Sequence, residues 1–211
     1  MIRTIEPRES GQTYMMNPTR QAIFQYLCRF PCKHIRAMEK DLKLKLPTLI
    51  WHLRLLEKNG FITSAPFRHR KVFYPTGLIP KNDIPIFALL ENAKVRNIAA
   101  ALYKNKELTQ KEIMILSDTY QQSVQWYLAQ MKELSLINYT KKGRNTIYTD
   151  TGRIEEVKEH CNVLYDDFIK DLMIKLRKDG VAPKVIREDA KGTIIQLDLG
   201  ERKHSLKIER V

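Results

Sequence analysis

Apolar side chains in this chain recur mostly at steps of three and four, the spacing of a helix with one buried face. They change to alternation only in short stretches. Asn17 and Pro18 suit a helix cap and first turn, and Ile23, Phe24 and Leu27 then mark a first helix that "FPCK" ends. Ile35, Met38 and Leu42 share one face of a short second helix. "KLKLPT" reads as a turn, and a third helix with Thr48 near its start runs to Asn59-Gly60, a good C-terminal stop. "FITSAPFRHRKVFYP" then reads as two strands, at 61–64 and 71–74, joined by a basic loop.

The same grammar returns. "LPTLIWHLRLLEKNGFI" at 46–62 is answered, 75 residues on, by "QQSVQWYLAQMKELSLI" at 121–137. Thr48 matches Ser123, Leu49 Val124, Trp51 Trp126, Leu53 Leu128, Leu56 Met131 and Ile62 Ile137; upstream, Asn17 matches Asn92 and Leu27 matches Leu102. Because the shared positions are those a common core needs, two copies of one supersecondary unit is the economical explanation. The second copy predicts helices near 92–104, 109–117 and 121–134, and a hairpin in "LINYTKKGRNTIYT" with Gly143 in the turn. Three helices followed by a two-stranded basic hairpin is the order of a winged helix-turn-helix, whose third helix enters the DNA major groove.

Further on, Ile154, Val157, Cys161, Leu164, Phe168, Leu172 and Leu176 form one apolar seam. They predict a single helix over 153–178, about 39 Å long at 1.5 Å per residue. Such a seam can pair with a copy of itself or cover the core of the second unit. After Pro183, "KVIRE", "GTIIQLDLG" and "HSLKIERV" read as three strands. The expected fold is therefore α+β, mainly α. An N-terminal arm (1–16) precedes two tandem winged helix-turn-helix domains (17–80 and 81–152). A long C-terminal helix (153–180), read as dimerising, leads to a small antiparallel sheet (181–211).

Charge adds a direction. The formal net charge is +13, and basic residues outnumber acidic ones 14 to 5 over 1–80, 10 to 7 over 81–150 and 13 to 12 over 151–211. A surplus gathered in one region points to a polyanion-facing surface there, where charge for solubility alone has no reason to be uneven. At about 100° per residue, Leu49, His52, Leu53 and Leu56 form the inner face of the third helix. Trp51 lies opposite, beside Arg54. In the second copy Val124, Tyr127, Leu128 and Met131 turn inward, while Gln122, Gln125 and Trp126 face out. An outward Trp at one position in both copies needs a partner. A base edge, sugar or phosphate is one, and a wing or the other domain is the alternative.

The candidate DNA-contacting residues follow from this projection. Lys43 and Lys45 precede the third helix, which presents Thr48, Trp51 and Arg54. Arg68, Arg70 and Lys71 lie on the first wing. Gln122, Ser123, Gln125 and Trp126 lie on the helix of the second copy, where glutamine amides match adenine. Lys141, Lys142 and Arg144 lie on the second wing, and hairpin cations of this kind read as phosphate binders.

The run "HIRAMEKDLKLKLPTLIWHLRLLEKNGFI" resembles the ArsR/MarR-like winged-helix transcription regulators, and "NPTRQAIFQYL" resembles their archaeal members with two such domains in tandem. The resemblance covers about 17–150. Its most specific piece is "HLRLLEKNGFI", from which the second copy departs with "YLAQMKELSLI", losing the His and the Gly. It implies sequence-specific binding to double-stranded DNA, with the first domain supplying most of the affinity, and dimeric action on two-fold symmetric sites. Two other readings share the architecture: a protein-interaction adaptor within a transcription complex, favoured by Pro47, Ile50 and Leu55 near the outer face, and a plasmid or viral replication initiator or partition protein.

No phosphate loop, nucleophile elbow or metalloprotease helix is present, so neither an enzyme nor a cofactor is expected. Cys28, Cys32 and His34 are spaced like metal ligands, but Cys28 ends a core helix, where a free Cys behaves as a small buried apolar residue; no metal is expected. Three Cys make no disulfide framework. No apolar run approaches the roughly 18 residues of a membrane span, and "MIRTIEPRES" lacks a secretory core, so a cytoplasmic protein is expected.

Overall fold

The computed structural model of the chain describes residues 14–200 and 202–210. The arm expected over 1–16 lies outside the described residues as far as residue 13; its end is a 3-10 turn at Tyr14–Met16. Helix α1 (Pro18–Arg29) starts where expected, with the Asn17 side chain accepting from the Arg20 N–H at 3.1 Å, and it buries Ile23, Phe24 and Leu27. Strand β1 (Lys33–His34), α2 (Ile35–Leu42), α3 (Leu46–Lys58), β2 (Ile62–Phe67) and β3 (Arg70–Pro75) follow, with sheet order β1-β3-β2.

After a 3-10 turn at Lys81–Asp83 and α4 (Ile84–Leu90), the same order recurs: α5 (Ala93–Lys104), β4 (Leu108–Thr109), α6 (Gln110–Ser117), α7 (Gln121–Glu133), β5 (Ile137–Lys142) and β6 (Asn145–Asp150), with sheet order β4-β6-β5. Every boundary is displaced by 75 positions, from Pro18 to Ala93 and from Pro75 to Asp150. The backbone repeats at finer grain. Left-handed residues at Lys43, Gly60, Arg68 and Gly77 return at Asp118, Ser135, Gly143 and Gly152. The pairing of Lys33 with Phe73 returns as Leu108 with Tyr148.

Three features differ from the expected order. The short β1 and β4 each add a third strand to a hairpin expected to have two. The hairpin ladder also continues through the basic residues: Phe67 pairs with Arg70, so the expected loop is the two-residue turn Arg68-His69. Helix α4, "IPIFALL", joins the two units and is buried along most of its length, with a proline in its first turn.

Helix α8 (Arg153–Lys178) has the expected bounds, but its seam is used within the chain. Ile154, Val157, Cys161, Phe168, Leu172 and Leu176 are buried, together with Tyr165 and Ile169. Lys175 Nζ donates to the Gly60 carbonyl, the Asp179 carboxylate just past the helix accepts from the Met15 N–H at 3.1 Å, and His160 meets Asp83 at 3.2 Å. The seam expected to be able to pair with a second copy is thus covered here by side chains of the chain itself. Beyond it, β7 (Ala182–Asp189), β8 (Gly192–Leu199) and β9 (Arg202–Glu209) form an antiparallel meander that buries Ile195, Leu197, Leu206 and Ile208. The Tyr165 hydroxyl accepts from the Thr193 N–H at 2.9 Å and donates to the Ile208 carbonyl at 2.7 Å. Thr193 and Ile208 are partners in register, so the phenol ties α8 to both β8 and β9 at one rung of the ladder.

Candidate nucleic-acid interface

Helix α3 is held by the face that the 100° projection assigned to it: Leu49, His52, Leu53 and Leu56 are buried. Each fully buried Leu contributes about 1.5–3 kcal/mol, so the orientation of the helix is strongly fixed. Lys45, Thr48, Trp51 and Arg54 lie on the exposed side, and Lys43, in left-handed conformation at the end of α2, stands beside them. Among the described residues no side chain caps the start of α3. The free N–H groups of its first turn and the positive end of its dipole are left open amid Lys43 and Lys45, an arrangement suited to an anion. Lys43, Lys45, Arg54 and Arg70 carry no ion pair among the described residues. Trp51 is 45% exposed, packs edge-on to His52 at 4.7 Å and has the Arg20 guanidinium 5.8 Å from its ring centre.

The wing cations divide into two groups. Lys71 Nζ lies 3.2 Å from Glu57 and Lys142 Nζ lies 2.7 Å from Glu107, so both are partly neutralised. Arg70, Lys141 and Arg144 remain exposed. On the second unit, Gln122 and Gln125 are exposed as expected, whereas Ser123 is half-buried. Tyr127, expected inward, is only half-buried, and its hydroxyl accepts from Asn92 Nδ2 at 2.8 Å. Gln130, which the same projection did not assign inward, is 5% exposed.

The two tryptophans both face outward, but their surroundings differ. Trp126 is 55% exposed, and the Arg68 guanidinium of the first wing sits 5.1 Å from its ring centre, tying the two units together. For Trp126 the structure therefore supplies the alternative partner, a wing of the other unit. Arg68 holds φ at 56° in a turn position where the second unit has Gly143, a conformation that costs a side chain about 1 kcal/mol. Arg68→Gly is expected to exchange that strain against an exposed cation–π contact of about 0.5–1 kcal/mol, leaving the melting temperature within about 3 °C. The Trp126 emission should nevertheless move to the red in a Trp51→Phe background. An unchanged emission would show that the pairing does not persist in solution.

A second link joins the units. Glu91 at the end of α4 lies 3.8 Å from Lys33 Nζ and 3.7 Å from His34 Nε2. Partial burial pushes the His34 pKa below its ordinary value, against the pull of Glu91. The second unit also presents Ile115, Leu116 and Tyr120, exposed at 70%, 54% and 88%. At the corresponding places the first unit has Lys40, Asp41 and Lys45.

Cys28, Cys32 and Cys161 are buried as free thiols, and burial raises the pKa of each, that of Cys161 to about 12. Among the described residues no group of three His, Cys, Asp or Glu could hold a metal ion, and no described helix is long and apolar enough to cross a membrane.

No family model matches the chain. Among solved structures, reduced HlyU from Vibrio cholerae N16961 aligns with a TM-score of 0.33 and 22% identity, over 40% of this chain and 86% of HlyU. An uncharacterized HTH-type transcriptional regulator of Methanocaldococcus jannaschii is 29% identical over 134 residues, which is 64% of this chain and 34% of that protein. The match thus spans about a third of the relative's length. Across nearly two thirds of its own length, the chain is similar to a helix-turn-helix transcriptional regulator.

Proposed function

We propose that the chain is a DNA-binding transcription regulator, built as two tandem winged helix-turn-helix domains at 17–80 and 81–152 and acting in the cytoplasm. The observation that carries this reading is the outer side of α3. Its uncapped N-terminus opens among Lys43 and Lys45, with Thr48, Trp51 and Arg54 exposed along the same helix and Arg70 on the adjoining wing. In this reading α3 lies in the major groove, and Arg70, Lys141 and Arg144 meet the phosphates beside it. The first domain supplies most of the affinity. The similarity to a helix-turn-helix regulator supports the same direction. A homodimer on a two-fold site has to form through a surface other than the buried seam of α8.

A gel shift with random duplex across a salt series tests the proposal. Binding should be present at low salt and fall steeply as salt rises. Gln122→Ala and Gln125→Ala should change which sequences are preferred, by about 1–3 kcal/mol for each adenine no longer read, while leaving non-specific affinity unchanged. Selection of bound fragments from random DNA reads this directly, and identical selected sequences would remove both glutamines from base reading.

A protein-interaction adaptor is the second reading, and Ile115, Leu116 and Tyr120 favour it for the second domain, where an apolar surface replaces the charged one of the first. An adaptor with no DNA role would not retard random duplex at physiological salt. A replication initiator or partition protein would bind, and would differ in selecting origin-type repeats.

A further inference from the structure

Between the two units lies an open cavity of about 360 Å³, walled on one side by the first wing and on the other by α7. We propose that this cleft binds a small organic anion with a flat apolar body, such as an aromatic carboxylate or sulfonate. Four observations meet there. Arg68 and Arg70 bring positive charge to the wall of the first unit, and Arg70 has no ion pair among the described residues. The single carboxylate at the rim, Glu91, already faces Lys33 and His34, so the balance of the lining stays positive. Phe67 and Trp126 supply aromatic surface at the same place.

The fourth observation concerns Gln130. This residue borders the cavity, is 5% exposed, and its Nε2 has no hydrogen-bond partner among the described residues. A shielded amide N–H left unmet is rare in a folded protein, and each case calls for an explanation. One turn along α7 from Trp126, that donor meets an anionic oxygen resting against the indole once the side chain turns outward into the cavity.

The volume lies at the lower end of the range for small-molecule sites. A second opening of about 490 Å³ is also lined by His34, His69 and Arg70, so the two hollows share the Arg70 guanidinium. The site sits beside the pairing of Arg68 with Trp126, where the two units touch, and an occupant would bear on both. None of this depends on what α3 binds.

The test uses the full chain and the fluorescent probe 8-anilinonaphthalene-1-sulfonate. In a Trp51→Phe chain, Trp126 is the sole tryptophan, and its emission should be quenched as the probe saturates one site. Arg70→Ala and Gln130→Leu should each weaken binding about tenfold, the usual scale for removing a charge-assisted hydrogen bond. The uncharged N-phenyl-1-naphthylamine should bind at least about tenfold more weakly than the sulfonate. Arg70 is exposed, so its removal leaves the fold intact, and the melting temperature of Gln130→Leu checks that variant. Equal binding of the neutral analogue, equal binding by both variants, absence of a saturable site, or loss of binding in Tyr120→Ser (which would place the probe on the apolar patch of α6) would each overturn the proposal.

Discussion

Replacing Lys43, Lys45 and Arg54 together with alanine is expected to weaken binding to duplex DNA of any sequence by about a hundredfold near 0.15 M salt. The three cations surround the uncapped start and outer face of α3 and have no intramolecular carboxylate partner among the described residues. Each phosphate neutralised by such a group releases counterions and steepens the dependence of log K on log salt by about 0.9. Losing three should therefore flatten that slope by nearly three units, and at about 0.15 M salt each contributes roughly fivefold. All three side chains are exposed, so stability should hardly change. Lys71→Ala gives the contrast: its ammonium already faces Glu57, and its removal should flatten the slope far less. If the triple variant kept the parental slope, α3 would not be where the phosphates lie.

Tyr165→Phe is expected to cost about 2–3 kcal/mol of stability, a fall in melting temperature of roughly 5–10 °C for a chain of this size. The hydroxyl is buried and meets two backbone groups, the Thr193 N–H and the Ile208 carbonyl, which are register partners on β8 and β9. Phenylalanine leaves both facing a hydrocarbon edge. Thermal melting of the two proteins measures the cost, and equal melting temperatures would show that the two hydroxyl bonds add nothing to stability.

Much of this architecture is legible in the sequence because the two units share their apolar positions. The match of Leu49 with Val124 and of Leu56 with Met131 locates both third helices, and Asn17 and Asn92 locate their predecessors. Periodicity also identifies the outward tryptophans and the limits of α8. It can say that a helix has an oily side, but not what lies against it. Periodicity alone therefore offers the seam of α8 to a second copy, whereas the first unit and the C-terminal sheet already receive it. Helix α4 escapes because seven nearly unbroken apolar residues have no polar face to create a period; its proline in the first turn is the available signal. Strands of two residues carry no alternation to detect.

The candidate site is harder to read. Which wing cations stay free depends on glutamates distant in sequence, Glu57 for Lys71 and Glu107 for Lys142. Gln130 looks like a solvent-facing residue, since nothing local marks a polar side chain buried at a junction. The repeat does hold one clue to that junction: Arg68 stands where the other copy has Gly143. A bulky residue in a glycine position is a reason to ask what its side chain reaches.

The run of α8 past the first unit, immediately after β6 of the second, has a mechanical consequence. Two bodies joined only by a loose tether would swing freely and melt one after the other. A rod that leaves one and is fastened along the other instead acts as a splint, so calorimetry should record a single endotherm. The angle between the halves is then set by the protein, and DNA bound to both would have to bend to suit it.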